Sequence, residues 1–320
     1  MNEWNFIKVP LGDKSYLQDV LVFLFRMKEG LLMVDAGLNT DHSFMVISEG
    51  VERLGYKLSD IKSLILTHYH LDHCGISLRL KKLLSIPVYL HEKDRKIFQF
   101  FKENIERYPE KTWEFFRSYG VQEDILSFIT NELQKYKKLL LGPTDTLNIN
   151  DGDLFEIESG FLRIIHTPGH SPGHISIFYP EKRILFGGDL ILKDELPHAG
   201  IYPHTVQYNP IKDYLESLEK IKKLKPEIII PSHGEPILDP LKRIEEVISF
   251  IKQKIDEVYD IIKKGPVDLS HVCEKAFRRC EKSLSCFFFL SLSLSYVRYL
   301  IEEGLAEEIK KGDLILFKST

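Results

Sequence analysis

Between positions 68 and 73 the chain reads His68-Tyr69-His70-Leu71-Asp72-His73, three imidazoles and a carboxylate within six residues. Imidazole nitrogens and carboxylate oxygens suit zinc, and also iron or manganese. In an extended or loosely turned loop, side chains two apart share a side, so His68 and His70 can grip one ion. Asp72 and His73 come just after the turn and can reach a second ion nearby. Buried polar groups without partners cost stability, so a cluster this dense, directly after an apolar run, points to metal ligation. The competing reading is a solvent-exposed polar loop. The chemistry implied is metal-assisted hydrolysis. Two cations about 3.5–4 Å apart hold a bridging hydroxide at neutral pH and stabilise the charge that develops as it attacks a carbonyl or phosphorus centre. Asp72 is the candidate for orienting that nucleophile. No Ser or Cys nucleophile is required, and Cys74 beside the cluster reads as a small packing residue.

Such ligands need rigid elements behind them. Residues 61–66 form a short buried strand that runs straight into His68. Upstream, 20–27 and 31–34 flank Lys28-Glu29-Gly30 as a hairpin, and 41–54 is helical in pattern. Helix 76–84 and strand 87–90 follow. Over residues 92–141 strand signals vanish and apolar residues fall at helical spacing, which predicts two or three inserted helices. Strands resume at 146–149, 154–157, 162–165, 175–179 and 183–186, followed by helix 210–224 and strand 228–230. His170, Asp189 and His233 each lie just past one of these strands, and each is preceded by Gly or Pro, or by Pro and Ser. Strand ends are where α/β folds collect their sites.

From Pro240 onward the order changes to a long charged helix, two further helical stretches (268–279 and 283–303) and a hairpin at 305–318. That is the order of a winged helix. The alternating run Leu290-Ser291-Leu292-Ser293-Leu294-Ser295 could be a strand, but the spacing of Phe287, Leu290, Leu294, Val297 and Ile301 favours a helix.

With H-x-H-x-D-H at 68–73, then His170, Asp189 and His233, and Asp35 in Val34-Asp35-Ala36-Gly37, the chain resembles the metallo-β-lactamase superfamily over about residues 5–240. The resemblance implies an α/β fold, a four-layer αβ/βα sandwich with the site on one edge. Here it would carry a helical insertion (about 92–141) and, as a second domain over 241–320, a C-terminal winged-helix-like unit. It also implies that His68, His70 and His170 hold a first metal, that Asp72, His73 and His233 hold a second, that Asp189 bridges both and that Asp35 supports the site. The cofactors expected are two divalent ions, zinc first, with iron or manganese open. His174 is a candidate for orienting a ligand, with a purely structural role as the alternative. Tyr202 and His204, with His198 and Tyr208, lie on the loop after Asp189 and are candidate substrate contacts. Tyr108, Trp113, Phe115, Phe116 and Tyr119 read mainly as helix packing, with a pocket wall as the alternative.

The tail points to the β-lactamase-like branch with a C-terminal winged-helix-like domain. The leading expectation is a hydrolase of esters or thioesters, glyoxalase II-like or acyl-thioesterase-like, since aromatic-rich helices suit an apolar acyl group. The alternatives are a single-strand RNA endoribonuclease and a mononuclear iron persulfide dioxygenase; a tail that serves dimerisation is a further reading. A net charge of −4 over 320 residues gives no reason to expect a strongly basic nucleic-acid binder. A small-molecule substrate is expected, with a homodimer left open and nucleic acid not favoured. The apolar runs fall short of a membrane span. Four cysteines, none in a C-x-x-C pair, suggest reduced thiols and a cytoplasmic protein.

Overall fold

The structure is a computed structural model that describes residues 3–12, 17–277 and 281–320, leaving aside the side chain of Lys138. Two sheets make its centre. The first holds β1 (Trp4–Pro10), β2 (Asp19–Met27), β3 (Gly30–Val34), β4 (Ile61–Ile65), β5 (Val88–Leu90) and β6 (Leu147–Asn148), side by side in chain order. The second holds β7 (Leu154–Ile157), β8 (Gly160–His166), β9 (Ile175–Tyr179), β10 (Ile184–Gly188) and β11 (Ile228–Pro231), also in sequence. A separate hairpin, β12 (Ala306–Lys311) and β13 (Leu314–Ser319), ends the chain.

Strand β2 shows why these residues stack into layers. It is apolar along nearly its whole length because both its faces are covered. Phe23 and Phe25 point inward to Phe186 of the second sheet, with ring centroids 5.0 and 4.9 Å apart, while Val22 and Leu24 point outward. The outward face of the first sheet packs on α1 (Asp41–Arg53), α3 (Ser77–Leu84) and α4 (Glu92–Asn104), with the one-turn α2 (Leu71–Cys74) at its edge. The outward face of the second packs on α5 (Tyr108–Ser118), α6 (Glu123–Tyr136), α7 (Pro210–Leu224), α8 (Pro240–Ile262), α9 (Leu269–Ala276) and α10 (Leu284–Glu302). Helix, sheet, sheet, helix is the four-layer order expected.

The inserted helices are α4, α5 and α6, and they straddle the sandwich. Ile97, Phe98 and Phe101 of α4 join the core on one side; Phe116, Ile125, Leu126 and Ile129 join the core on the other. The apolar cluster under the second sheet runs without a break past residue 240, from Ile165, Leu185 and Ile229 to Ile244, Leu290, Val297 and Phe317.

Some local expectations need revising. The first strand, β1, is not among the expected elements; only Ile7 and Val9 of it are buried. The helix expected over 268–279 is described to Ala276, since residues 278–280 lie outside the described residues. The segment 290–295 is helical, and Ser291, Ser293 and Ser295 are fully buried in it. Each hydroxyl donates back to a carbonyl one turn earlier, on Phe288, Phe289 and Leu292, so their burial leaves no orphaned donor. This helix is long and apolar enough by composition to cross a membrane, contrary to the expectation from run lengths, and most of it is buried within the fold. Cys74 and Cys273 are buried thiols, Cys286 is disulfide-bonded, and Cys280 lies outside the described residues.

Candidate metal centre

Strands β3 and β4 are parallel, and so are β10 and β11; β8 shares the direction of β10 because both are antiparallel to β9. Their carboxyl ends meet at one edge of the sandwich, where backbone hydrogen bonds tie the sheets together: Ile175 N–H to Thr67 O at 2.9 Å and Leu21 N–H to Ser232 O at 2.8 Å. Asp35 follows β3, His68 follows β4, His170 follows β8, Asp189 follows β10 and His233 follows β11. The expected loop at 68–73 is extended only to His70. Asp72 and His73 sit on the single turn α2, and that turn carries them from one donor group to the other.

All seven candidate ligands converge. His68 Nε2, His70 Nδ1 and His170 Nε2 lie 2.8–3.2 Å from one another. Nearby, His233 Nε2 is 3.3 Å from both His73 Nε2 and Asp72 Oδ2. Asp189 Oδ2 stands between the two groups, 3.3 and 3.4 Å from the Nε2 atoms of His73 and His233 and 3.7 and 4.0 Å from those of His170 and His68. The other Asp189 oxygen, Oδ1, is buried without a hydrogen-bond partner.

The far side of four of the five rings fixes which nitrogen faces inward. His73 Nδ1–H donates to Asp35 Oδ2 at 2.8 Å, His170 Nδ1–H to His198 O at 3.1 Å, and His233 Nδ1–H to Asp19 O at 2.6 Å. His68 Nδ1–H meets Thr67 Oγ1 at 3.0 Å, and that hydroxyl donates onward to Asp35. Four imidazoles thus turn Nε2 to the same small space, an arrangement that repels itself unless protons or a cation lie within it. Five imidazoles, two carboxylates and no thiolate fit zinc, iron or manganese. The converging nitrogens and the partnerless Asp189 oxygen show that the residues present fit divalent metal.

Electrostatics agree. Burial and the neighbouring imidazoles hold His68 and His170 well below the usual histidine range, and burial brings His70 to about 4. Burial also opposes charge on His73 and His233, but Asp189 and Asp72 outweigh it, raising His73 well above its ordinary value and His233 to about 10. Burial likewise opposes charge on Asp189, yet His73 and His233 hold it well below the carboxylate range. Without metal, the carboxylates draw protons onto the two histidines; a cation would take the place of those protons.

Asp35 adopts a left-handed backbone (φ 64°), a strained state for a non-glycine residue, and holds Thr67 N–H at 2.8 Å as well as His73. His174 resolves as a support: its Nδ1 faces Thr167, and its Nε2 accepts the Asp189 N–H at 3.0 Å. His204 does not reach the donor cluster. Its nitrogens face the hydroxyls of Tyr69 (3.1 Å) and Tyr108 (3.2 Å), and its ring stacks on Tyr202 at 5.5 Å. Tyr202 in turn bonds His198 Nε2 at 2.7 Å. Both residues therefore stand one layer behind His70 and His170. Tyr208 donates to Ser171 O, and His166 stacks on His91 at 4.1 Å. Of the inserted aromatics, Tyr108 reaches this layer, whereas Phe116 packs on Phe287 and Tyr119 on Phe317.

Asp94 escaped sequence reading. It is fully buried beneath both ligand loops, and burial pushes its carboxyl up to about 7 against three hydrogen-bond donors that favour the anion. In sequence it looks like one more acidic residue in the first turn of a helix, where the dipole welcomes such residues.

Comparison with known proteins gives the same picture. Residues 16–233 match the family model of the metallo-beta-lactamase superfamily. The chain is similar to the probable metallo-hydrolase YqjP of Bacillus subtilis, 27% identical over 94% of this chain and 93% of that protein. It is also similar to the hydroxyacylglutathione hydrolase GloC of Haemophilus influenzae, 28% identical over 55% of this chain and 69% of that protein. Among solved structures, a metallo-beta-lactamase family protein of Thermus thermophilus superposes with a TM-score of 0.85 and 26% identity, covering 100% of this chain and 99% of that one.

Proposed function

The chain belongs to the metallo-beta-lactamase superfamily of metal-dependent hydrolases, and we propose that it hydrolyses esters or thioesters of small molecules at a centre for two divalent metals, zinc by preference. The observation that carries the reading is Asp189 Oδ2, placed within 4.0 Å of imidazole nitrogens from both donor groups. Two ions held there would supply an activated water and polarise the scissile carbonyl. His68, His70 and His170 would hold one ion, Asp72, His73 and His233 the other, with Asp189 shared.

The chain's own residues do the rest. Asp35, Thr67 and His174 hold the ligands in place before substrate arrives, so no reorganisation is needed during the reaction. Asp72 keeps about a fifth of its side chain exposed (21%), the most open of the carboxylates at the site. With Oδ2 turned toward His233, its other oxygen, Oδ1, is the one left to take a proton from the attacking water and return it to the leaving alkoxide or thiolate. His198 lies between the His170 ring (6.0 Å) and Phe288 (5.3 Å) at the start of α10. Phe288 and Leu196, two residues before His198, are exposed, and apolar side chains so near the donor cluster suit an acyl chain. The hydroxyacylglutathione hydrolase among the relatives supports a thioester in particular. Single-stranded RNA is less well supported, because α10, third in the order of a winged helix, is mostly buried and carries Arg298 as its one cationic residue.

A panel of thioester, lactone, β-lactam, phosphodiester and single-stranded RNA substrates tests the reading. Turnover of a thioester or carboxylic ester, abolished by a chelator and restored by zinc, is expected. Cleavage of RNA with every acyl substrate inert would refute it.

A further inference from the structure

The chemistry above makes no use of Asp94, yet its contacts are unusually directed. Oδ2 accepts the Tyr69 N–H at 3.0 Å and the Ser171 hydroxyl at 2.7 Å, and Oδ1 accepts the Gly173 N–H at 2.6 Å. Tyr69 lies between His68 and His70, and Ser171 follows His170. One buried carboxylate therefore grips both loops that carry the first donor group. Each partner is a donor, so the contacts match an anion with no acceptor left to clash. The fit is close: a Cβ at Gly173 would stand 2.7 Å from Asp94 Cγ, Oδ1 and N, so only glycine leaves the loop this near. The second donor group is held by other atoms, Asp35 behind His73 and the Asp19 carbonyl behind His233.

We propose that Asp94 is the positioning residue of the first metal site. It fixes the separation of the His68–His70 loop from the His170 loop, and it makes the first turn of the inserted helix α4 a determinant of metal affinity at that site and not at its neighbour. The proposal rests on the reading of the two donor groups as two metal sites.

Cobalt(II) titrated into the metal-free full chain, followed by visible absorption, separates the sites. Reference spectra come from His70→Ala, which cripples the first donor group, and His233→Ala, which cripples the second. Wild type should take up two equivalents. Asp94→Asn should weaken one of them by roughly 10–100-fold, the range for groups that orient a ligand. The equivalent that remains should give the spectrum of His70→Ala. Ser171→Ala, which removes one of the three bonds and leaves the helix intact, should weaken the same equivalent by less. Tight binding of both equivalents by Asp94→Asn, or equal weakening of both, overturns the proposal. Should Asp94→Asn fail to fold, an unchanged first equivalent in Ser171→Ala overturns it alone. A wild type that binds one equivalent overturns the two-site reading, and that is visible before any variant is compared.

Discussion

Asp35 carries two tasks on one strained residue: at φ 64° it accepts Thr67 N–H and fixes the ring of His73. The strain is tolerated because the hydrogen bonds over-determine the conformation. Asp35→Ala should lower metal affinity at the second donor group by roughly 10–100-fold, since the His73 ring loses the partner that sets its tautomer. Competition with a chromogenic chelator measures this, and an unchanged affinity would refute the role. At this scale the sequence was highly legible. Each of the seven donors is a strong ligand type standing just past a strand or on the cluster at 68–73. The supports were less so. His204 meets Tyr69 across 135 positions and Tyr108 across 96, and no local pattern encodes such partnerships. Asp94 was hidden by its resemblance to an ordinary first-turn acid.

Among elements, the single turn α2 matters most for its size. It lifts Asp72 and His73 away from His68 and His70, so one short motif serves two donor groups. The turn ends at Gly75, where a Cβ would overlap the backbone of Gly37, Leu38 and Asn39 in the loop after Asp35. Gly75→Ala should therefore push the two loops apart. A loss of about 1–3 kcal/mol in chemical denaturation is expected, typical of overpacking, together with loss of hydrolysis; a variant of full stability and activity would contradict this packing. Long periodic segments such as α7 were read to the residue, because Pro210 at its start and the apolar spacing leave little freedom. The turn at 71–74 was read as loop, since four residues are too few to show a helical period.

Over the whole molecule, the insertion, the second sheet and the tail are joined by one apolar cluster, and half-buried histidines tie the insertion to the ligand loops. His204 is packed among Tyr69, Phe101, Tyr108 and Tyr202, and burial brings it to about 3. His91, at the start of α4, stacks on His166 of β8, and burial followed by that neighbour brings it to about 4. Both values lie below the unfolded one of about 6.5, so the unfolded chain binds more protons in the interval between. Their contribution is complete above about pH 6.5 and is lost as the pH falls toward 4 and below. His233, raised to about 10 in the metal-free chain, acts in the opposite window, above pH 6.5, and does not overlap. Asp94, raised to about 7, acts against them in the same interval, but a single carboxyl is outnumbered by His70, His91, His174, His198 and His204, all held at about 4 or below. The melting temperature of chelator-treated protein should therefore drop between pH 6.5 and 4; a flat profile there would contradict the assignment of these rings as neutral in the fold.

The proposed hydrolysis depends on the two donor groups holding two ions at once. Elemental analysis of the purified full chain measures this directly, in wild type and in Asp189→Ala. Two equivalents of divalent metal per chain, zinc foremost, are expected in the wild type, and one or fewer once the shared carboxylate is removed. A wild type holding a single iron, with the same content in Asp189→Ala, would contradict the two-ion centre.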